Sequence, residues 1–217
     1  KNDLIVDVGC SDGTLLNSFK KLGFQNVVGV EPTNTYKIAK KKGIFTINSF
    51  FNKKSSSQIL KKFGKAKLIT TTNVFAHTGE LKEFISGVNK TLSNNGIFVV
   101  ENHYLKDIIE KVQFDSFYHE HLRTYSLKSL IKLLKYYKLN IVDAYTTERY
   151  NGNIQAHFSK NKSLKITKNV KLIMQKENNA KLDHLNTYVK FSNKVEKAKT
   201  DLFNYINKNS NKTIIGK

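Results

Sequence analysis

Apolar segments of two different periods take turns along the first hundred residues, and that alternation leaves few folds open. Leu4–Val8, Val27–Val30, Ile44–Ile47, Leu68–Thr71 and Ile97–Glu101 are short runs with the length of buried strands. Between the first two, Thr14–Leu22 carries Leu15, Leu16, Phe19 and Leu22 at helical spacing. Thr35–Lys42 is a second helix, closed by Gly43 where a glycine is favoured. Ser55, Ser56 and Ser57 are placed to cap a third running to Phe63, and Glu80–Leu92 is a fourth. Asn94-Asn95-Gly96 marks a turn into the fifth strand. Strands that alternate with helices in this way predict an α/β fold, a mostly parallel twisted sheet with helices on both faces.

Further along, Leu127–Tyr137 is an amphipathic helix, and Asn140–Glu148 and Ile154–Ser159 form a closing pair of strands. From about Asn178 to Asn207 a long, lysine-rich helix is expected, with Leu182, Leu185, Tyr188, Phe191, Val195 and Leu202 on one stripe. The chain then turns at Asn209–Asn211 into Thr213–Lys217, the expected start of a new strand. The organisation predicted is a domain over residues 1–160, a helical linker over 161–211, and the beginning of another domain over 212–217.

Composition narrows the function classes. The 217 residues contain no apolar run of the roughly eighteen residues a membrane span needs. Cys10 is the single cysteine, which excludes a disulfide framework or a cysteine-based zinc site within this chain and suits a reducing cytoplasm. The net charge of +20 invites a nucleic-acid reading. Yet only Arg123 and Arg149 among the 37 basic residues are arginine, a pattern expected of A/T-rich codon use with lysine as a generic surface residue. Basic residues interleaved with base-stacking aromatics are missing too, so nucleic acid is not the expected partner.

The loop Asp7-Val8-Gly9-Cys10-Ser11-Asp12-Gly13 after the first strand carries the cofactor signal. Its two glycines let the backbone turn sharply and approach a ligand, and the next helix offers its N-terminus. A dinucleotide site would place a second glycine where Ser11 stands, and Asp12 would repel a pyrophosphate. An acidic, glycine-flanked loop suits a ligand with an ammonium and a sulfonium, which describes S-adenosylmethionine. Glu31, ending the second strand, is placed to accept hydrogen bonds from ribose hydroxyls. Asn73, after the fourth strand, is expected at the methionine end of the cofactor or at the substrate, and Phe50 and Phe51 beside the adenine.

Two of the six histidines fall in Phe114-Asp115-Ser116-Phe117-Tyr118-His119-Glu120-His121. A helical turn would bring Tyr118 and His121 to one spot, as acid–base chemistry requires; an extended chain would pair His119 with His121, as metal binding prefers. Adjacent residues converge poorly on one ion, so no metal is expected.

These segments together resemble one family, the S-adenosylmethionine-dependent sugar C-methyltransferases of deoxysugar biosynthesis. The resemblance rests on Val8–Leu16, Gly29–Pro32, Asn73-Val74-Phe75-Ala76-His77, Glu101–Leu105 and Phe114–His121, in that order. It implies a Rossmann-like class I methyltransferase domain between an N-terminal zinc domain and a C-terminal Rossmann-like domain. It also implies methyl transfer to a carbon beside a ketone of a nucleotide-linked 4-keto-deoxysugar, through an enolate. In that reaction His121 is expected as the base, Tyr118 as the group that orients the sugar or donates to the enolate oxygen, and Glu120 as a support for an imidazole or a sugar contact. His119 would point away as a hydrogen-bonded structural residue. His77, His103, Tyr104 and Asn153 are the expected substrate contacts, and Asp7, Gly9, Cys10, Ser11, Asp12, Gly13, Glu31 and Asn73 the cofactor contacts. One stretch departs: where the family commonly shows H-G-G-S-L-R, this chain has Tyr150-Asn151-Gly152-Asn153-Ile154-Gln155. That change admits a different acceptor, with O- or N-methylation of another small molecule as the alternative.

Overall fold

A computed structural model describes residues 2–213. Its strands are β1 (Ile5–Val8), β2 (Val27–Val30), β3 (Phe45–Ile47), β4 (Ala66–Thr72), β5 (Leu92–His103), β6 (Asn140–Thr147) and β7 (Asn153–Ser159). They form one sheet in the order β3-β2-β1-β4-β5-β7-β6. All pairs from β3 to β5 are parallel, and β7 runs antiparallel to both β5 and β6.

Period-two alternation along buried strands explains why helices cover both faces. Ile5 of β1 and Val27 of β2 belong to a small cluster with Leu16, Ala39 and Ile44. Their neighbours Val6, Val8, Val28 and Val30 join the large cluster on the other face, with Ile59, Phe84 and Phe98. The helices are α1 (Thr14–Lys21), α2 (Tyr36–Lys41), α3 (Lys53–Phe63), α4 (Leu81–Thr91), α5 (Leu105–Glu110), α6 (Leu127–Tyr136), α7 (Lys168–Asn179) and α8 (Leu185–Lys208). None in the described residues is long and apolar enough to cross a membrane.

Three expectations change. The cap of α3 is Asn52, whose side chain accepts from the Lys54 and Ser55 amides; Ser55 completes a reciprocal box instead of opening the helix. Asn94-Asn95-Gly96 is no turn between elements but lies within β5, where the register against β4 shifts between Ala66 and Leu68. The long helix expected from Asn178 is two helices. α7 ends at Asn179, Lys181 takes a left-handed φ of 51°, and α8 begins at Leu185. The expected strand at Thr213–Lys217 falls, beyond Thr213, outside the described residues.

The break follows from burial. α7 sinks Val170, Ile173 and Glu177 into the fold, whereas α8 buries no residue. Glu177 is fully buried because its carboxylate caps α6: one oxygen accepts the Leu127 amide at 2.5 Å and the other the Lys128 amide at 3.0 Å. Helix N-terminal amides lack partners within their own helix and carry partial positive charge, so a carboxylate there is stabilising. Glu177→Leu, which strands two amides, should therefore cost roughly 2–4 kcal/mol in urea unfolding. The exposed Glu196→Ala should stay within about 0.5 kcal/mol; equal effects would contradict this cap.

Candidate active site

The carboxyl ends of β1, β2, β4 and β5 deliver Gly9, Glu31, Asn73 and His103 to one edge of the sheet. Strand order reverses between β1 and β4, so the loops that follow them part and leave a crevice, the usual ligand position in such sheets. Gly9 has φ of 74°, and a Cβ on it would collide with the Val74 side chain. This is a cradle only glycine can form.

A cavity of about 470 Å³ opens there, lined by Gly9, Glu31, Phe50, Phe51, Val74 and His77 among others. Its other acidic walls are Glu80 and Glu83. Glu31 is 5% exposed, and its carboxylate accepts the Ser11 amide at 2.8 Å and the Thr33 amide at 2.8 Å. It thereby locks the loop after β1 against the end of β2 and presents acceptor lone pairs to the cavity. Phe51 is packed against Phe84, while Phe50 stays 75% exposed at the rim. Size, an apolar interior and acidic walls suit S-adenosylmethionine, an adenosyl group bearing two cationic centres.

Several expected cofactor contacts serve the loop rather than the cavity. Asp7 is buried and takes a 2.6 Å hydrogen bond from Thr70. Cys10 buries its sulfur against Gly29, and burial, with Asp7 and Glu31 nearby, pushes its thiol up to about 12. Asp12 accepts from Lys42 at 2.7 Å and from the Thr14 hydroxyl and amide, which holds its carboxyl at about 2. Gly13 has φ of 77° and packs on Ile44 and Ala39. Asp7, Cys10 and Asp12 do not line the large cavity, and their side chains bond to or pack on the protein around the loop. Ser11, at φ of 49°, offers its amide to Glu31.

A second, tighter cavity of about 10 Å³ adjoins, lined by Asn73, His77, Asn102, His103, His121 and Arg123 among others. His77 borders both cavities, so they share a wall. Phe75 fixes that wall by packing on Phe84 and Tyr125, with ring centroids 5.5 and 5.3 Å away. The rings of His77 and His103 lie 4.7 and 5.2 Å from that of His121. Burial first, and the neighbouring His121 second, lower the pKa of both His77 and His103.

The Tyr118–His121 segment forms the tight turn that acid–base geometry requires, with the His121 amide bonded to the Tyr118 carbonyl at 2.9 Å. His121 Nδ1 lies 2.8 Å from the Ser116 carbonyl, and Nε2 lies 3.2 Å from the Tyr118 hydroxyl. A carbonyl only accepts, so Nδ1 carries a proton and Nε2 of the neutral ring is left as the basic atom. Ser116 therefore sets the tautomer. The Glu120 carboxylate is 61% exposed with His119 at 3.9 Å, and Glu120 also acts on the His77 imidazole, through its charge and a backbone hydrogen bond that both oppose the lowering by burial. His119 points away from the cavity, but it is an exposed side chain rather than a hydrogen-bonded structural one.

Two of the expected substrate contacts line neither cavity. Tyr104 is 2% exposed within the main core and borders neither cavity. Asn153 is fully buried behind the site, donating to Asn73 at 3.2 Å and Glu101 at 3.1 Å. Asn73 itself faces the smaller cavity, not the larger. Gln155 also donates to Glu101, at 2.9 Å, and Arg149 lies 3.7 Å from the same carboxylate. Sequence reasoning missed Asn102, Arg123 and the Ser116 carbonyl. The scarcity of arginine could have flagged Arg123; a backbone acceptor leaves no sequence signal.

Two outcomes are expected. Gly9→Ala should weaken S-adenosylmethionine binding at least tenfold by calorimetry, through the collision with Val74; unchanged affinity would contradict the cradle. Burial lifts the Asp7 carboxyl from 3.8 to about 7, so the native state holds a proton that the unfolded chain releases between those values. Its stabilising share is complete below about pH 4 and is lost as pH rises to about 7. Asp7→Asn should flatten Tm across that window and exceed the parent's Tm at about pH 8; a profile that keeps the parent's slope would contradict this.

Comparison with known proteins agrees with this geometry. Residues 1–144 match the family described as Methyltransferase domain, and residues 150–216 match C-methyltransferase C-terminal domain. A curated relative, C-methyltransferase NovU of Streptomyces niveus, is 35% identical over 70% of this chain and 36% of its own length, so the chain spans about a third of that relative. Among solved structures, an S-adenosylmethionine-dependent methyltransferase of Clostridium acetobutylicum aligns with a TM-score of 0.58 at 18% identity, over 74% of this chain and 85% of that one. A SAM-dependent methyltransferase of Archaeoglobus fulgidus aligns with a TM-score of 0.57 at 14% identity, over 72% and 86%. With its cradle, its acidic strand end and its strand order all in place, the chain belongs to the methyltransferase-domain family, joined here to a C-methyltransferase C-terminal segment.

Proposed function

We propose that this protein transfers a methyl group from S-adenosylmethionine to a carbon beside a ketone, on a nucleotide-linked deoxysugar. The observation that carries the reading is the orientation of His121. Its Nδ1 is tied to the Ser116 carbonyl, its Nε2 is left as the basic atom 3.2 Å from the Tyr118 hydroxyl, and His77 lines both its cavity and the large one. An oxygen or nitrogen acceptor brings its own lone pair; a carbon must first lose a proton, which demands a placed base. In this reading S-adenosylmethionine, when bound, supplies an electrophilic methyl group.

His121 Nε2 takes the proton from the carbon next to the ketone, and the bonding pair moves toward the carbonyl oxygen. Tyr118, 3.2 Å from Nε2 and 43% exposed, orients the sugar and covers the base until substrate arrives. His77 and His103, both held below the ordinary histidine value, stay neutral beside it and do not compete electrostatically with the imidazolium that forms. Residues 1–160 carry this chemistry, and the segment after them leads toward further parts of a longer polypeptide. The zinc domain and C-terminal domain implied by the resemblance are part of that proposal, as is a cytoplasmic location.

His121→Asn should slow deuterium washout from a deuterated keto sugar by 10²-fold or more and abolish methyl transfer, with S-adenosylmethionine affinity unchanged. Washout at the parent rate would overturn the assignment of the base. Methyl transfer to an oxygen or nitrogen without any washout would overturn the carbon acceptor.

A further inference from the structure

Asn102 is 1% exposed, yet neither its Nδ2 nor its Oδ1 has a hydrogen-bond partner among the described residues. It ends a strand face that is otherwise apolar: Phe98 and Val100, four and two residues earlier, are fully buried. A carboxamide placed there forfeits its bonds to water and gains none from the fold, so it lowers stability with nothing returned by packing. Val or Leu would continue the pattern of that face. The residue is nonetheless one wall of the small cavity that also holds His121, His77, His103, Asn73 and Arg123.

The dimensions of that cavity restrict what meets the carboxamide. About 10 Å³ is room for one water-sized atom and not for a ring. Arg123 gives one donor to the Thr78 carbonyl at 2.5 Å and keeps other guanidinium donors for the cavity it lines. Asn73 has its side-chain oxygen engaged by Asn153. The Asn102 carboxamide, its N–H donors and its Oδ1 acceptor alike, and the remaining Arg123 donors are thus uncommitted around a space that His121 also lines, and the N–H and guanidinium donors are the groups an anionic oxygen would meet. Donors converging on a single-atom space beside a base describe an oxyanion site.

We propose that Asn102 and Arg123 form a one-oxygen socket for the ketone oxygen of the methyl acceptor. This rests on the carbon-acceptor reading above. When His121 Nε2 removes the proton, the C–H pair becomes the new carbon–carbon double bond. The carbonyl π pair moves onto oxygen, where the Asn102 N–H and the Arg123 guanidinium meet the charge. Asn102 then contacts the reacting group directly and is a catalytic residue; its unpaired state in the protein alone is the preorganisation the reaction uses.

The test is deuterium exchange into a thymidine diphosphate-linked 4-keto-6-deoxyhexose, with the intact protein and S-adenosylmethionine. Asn102→Leu should lower the maximal exchange rate roughly 10²-fold or more, as loss of one oxyanion donor does, with KM changed less than about threefold. Asn102→Asp keeps the shape and adds a negative charge beside the developing oxyanion, so it should be at least as slow. S-adenosylmethionine affinity by calorimetry should match the parent in both, which separates this role from a structural one. Exchange within about threefold of the parent in either variant would overturn the socket and leave the carbon-acceptor reading standing. A parent protein that methylates this sugar but exchanges no deuterium would overturn both.

Discussion

β1 is hydrogen-bonded in parallel to β2 on one side and to β4 on the other, and this double pairing fixes where ligands meet the protein. Chain leaving β1 travels toward β2 and β3, whereas chain leaving β4 travels toward β5. The two loops diverge above the sheet and cannot fill the space between them. Gly9 and Val74 touch across the base of the resulting crevice, and Glu31 ties the loop after β1 to the end of β2. The cavity is a consequence of strand order; its charge and shape come from a few residues at strand ends. The sheet beneath it is packed on both faces, so those strand ends are held by a rigid support.

The second cavity has a different origin. β7 returns antiparallel beside β5, and its first residue, Asn153, ties Asn73 to Glu101 from behind. Phe75, wedged against Phe84 and Tyr125, holds the turn bearing His77. His121 arrives from the loop after α5, where Phe117 also meets Phe191 of α8 at 6.0 Å. Three imidazoles are therefore gathered from three separate segments. Burial first, and the neighbouring His121 second, lower the pKa of His77 and His103, which disfavours positive charge on those two rings beside the base.

Much of the fold was legible because buried strands and amphipathic helices have distinct periods. The glycines at 9 and 13 and the carboxylate at 31 were legible because a tight ligand loop requires those residue types. Side-chain direction was not. Asp7 and Asp12 read as cofactor contacts, but Thr70 and Lys42, 63 and 30 residues away, claim them. Tyr104 and Asn153 read as substrate contacts because they adjoin functional stretches, yet both point into the protein. α7 was missed, and α8 overextended, because the lysine-rich composition hides which short apolar set is buried. Glu177 shows the difficulty: a carboxylate in a polar helix looks solvated until the partner amides of α6 are located.

The account depends on which nitrogen of His121 carries the proton in the resting protein. Heteronuclear NMR of the imidazole nitrogens, on the neutral ring, measures this directly. The bond to the Ser116 carbonyl predicts a protonated Nδ1 and an unprotonated Nε2 facing Tyr118. A neutral ring protonated at Nε2, with Nδ1 bare, would contradict the account and leave the site without its base.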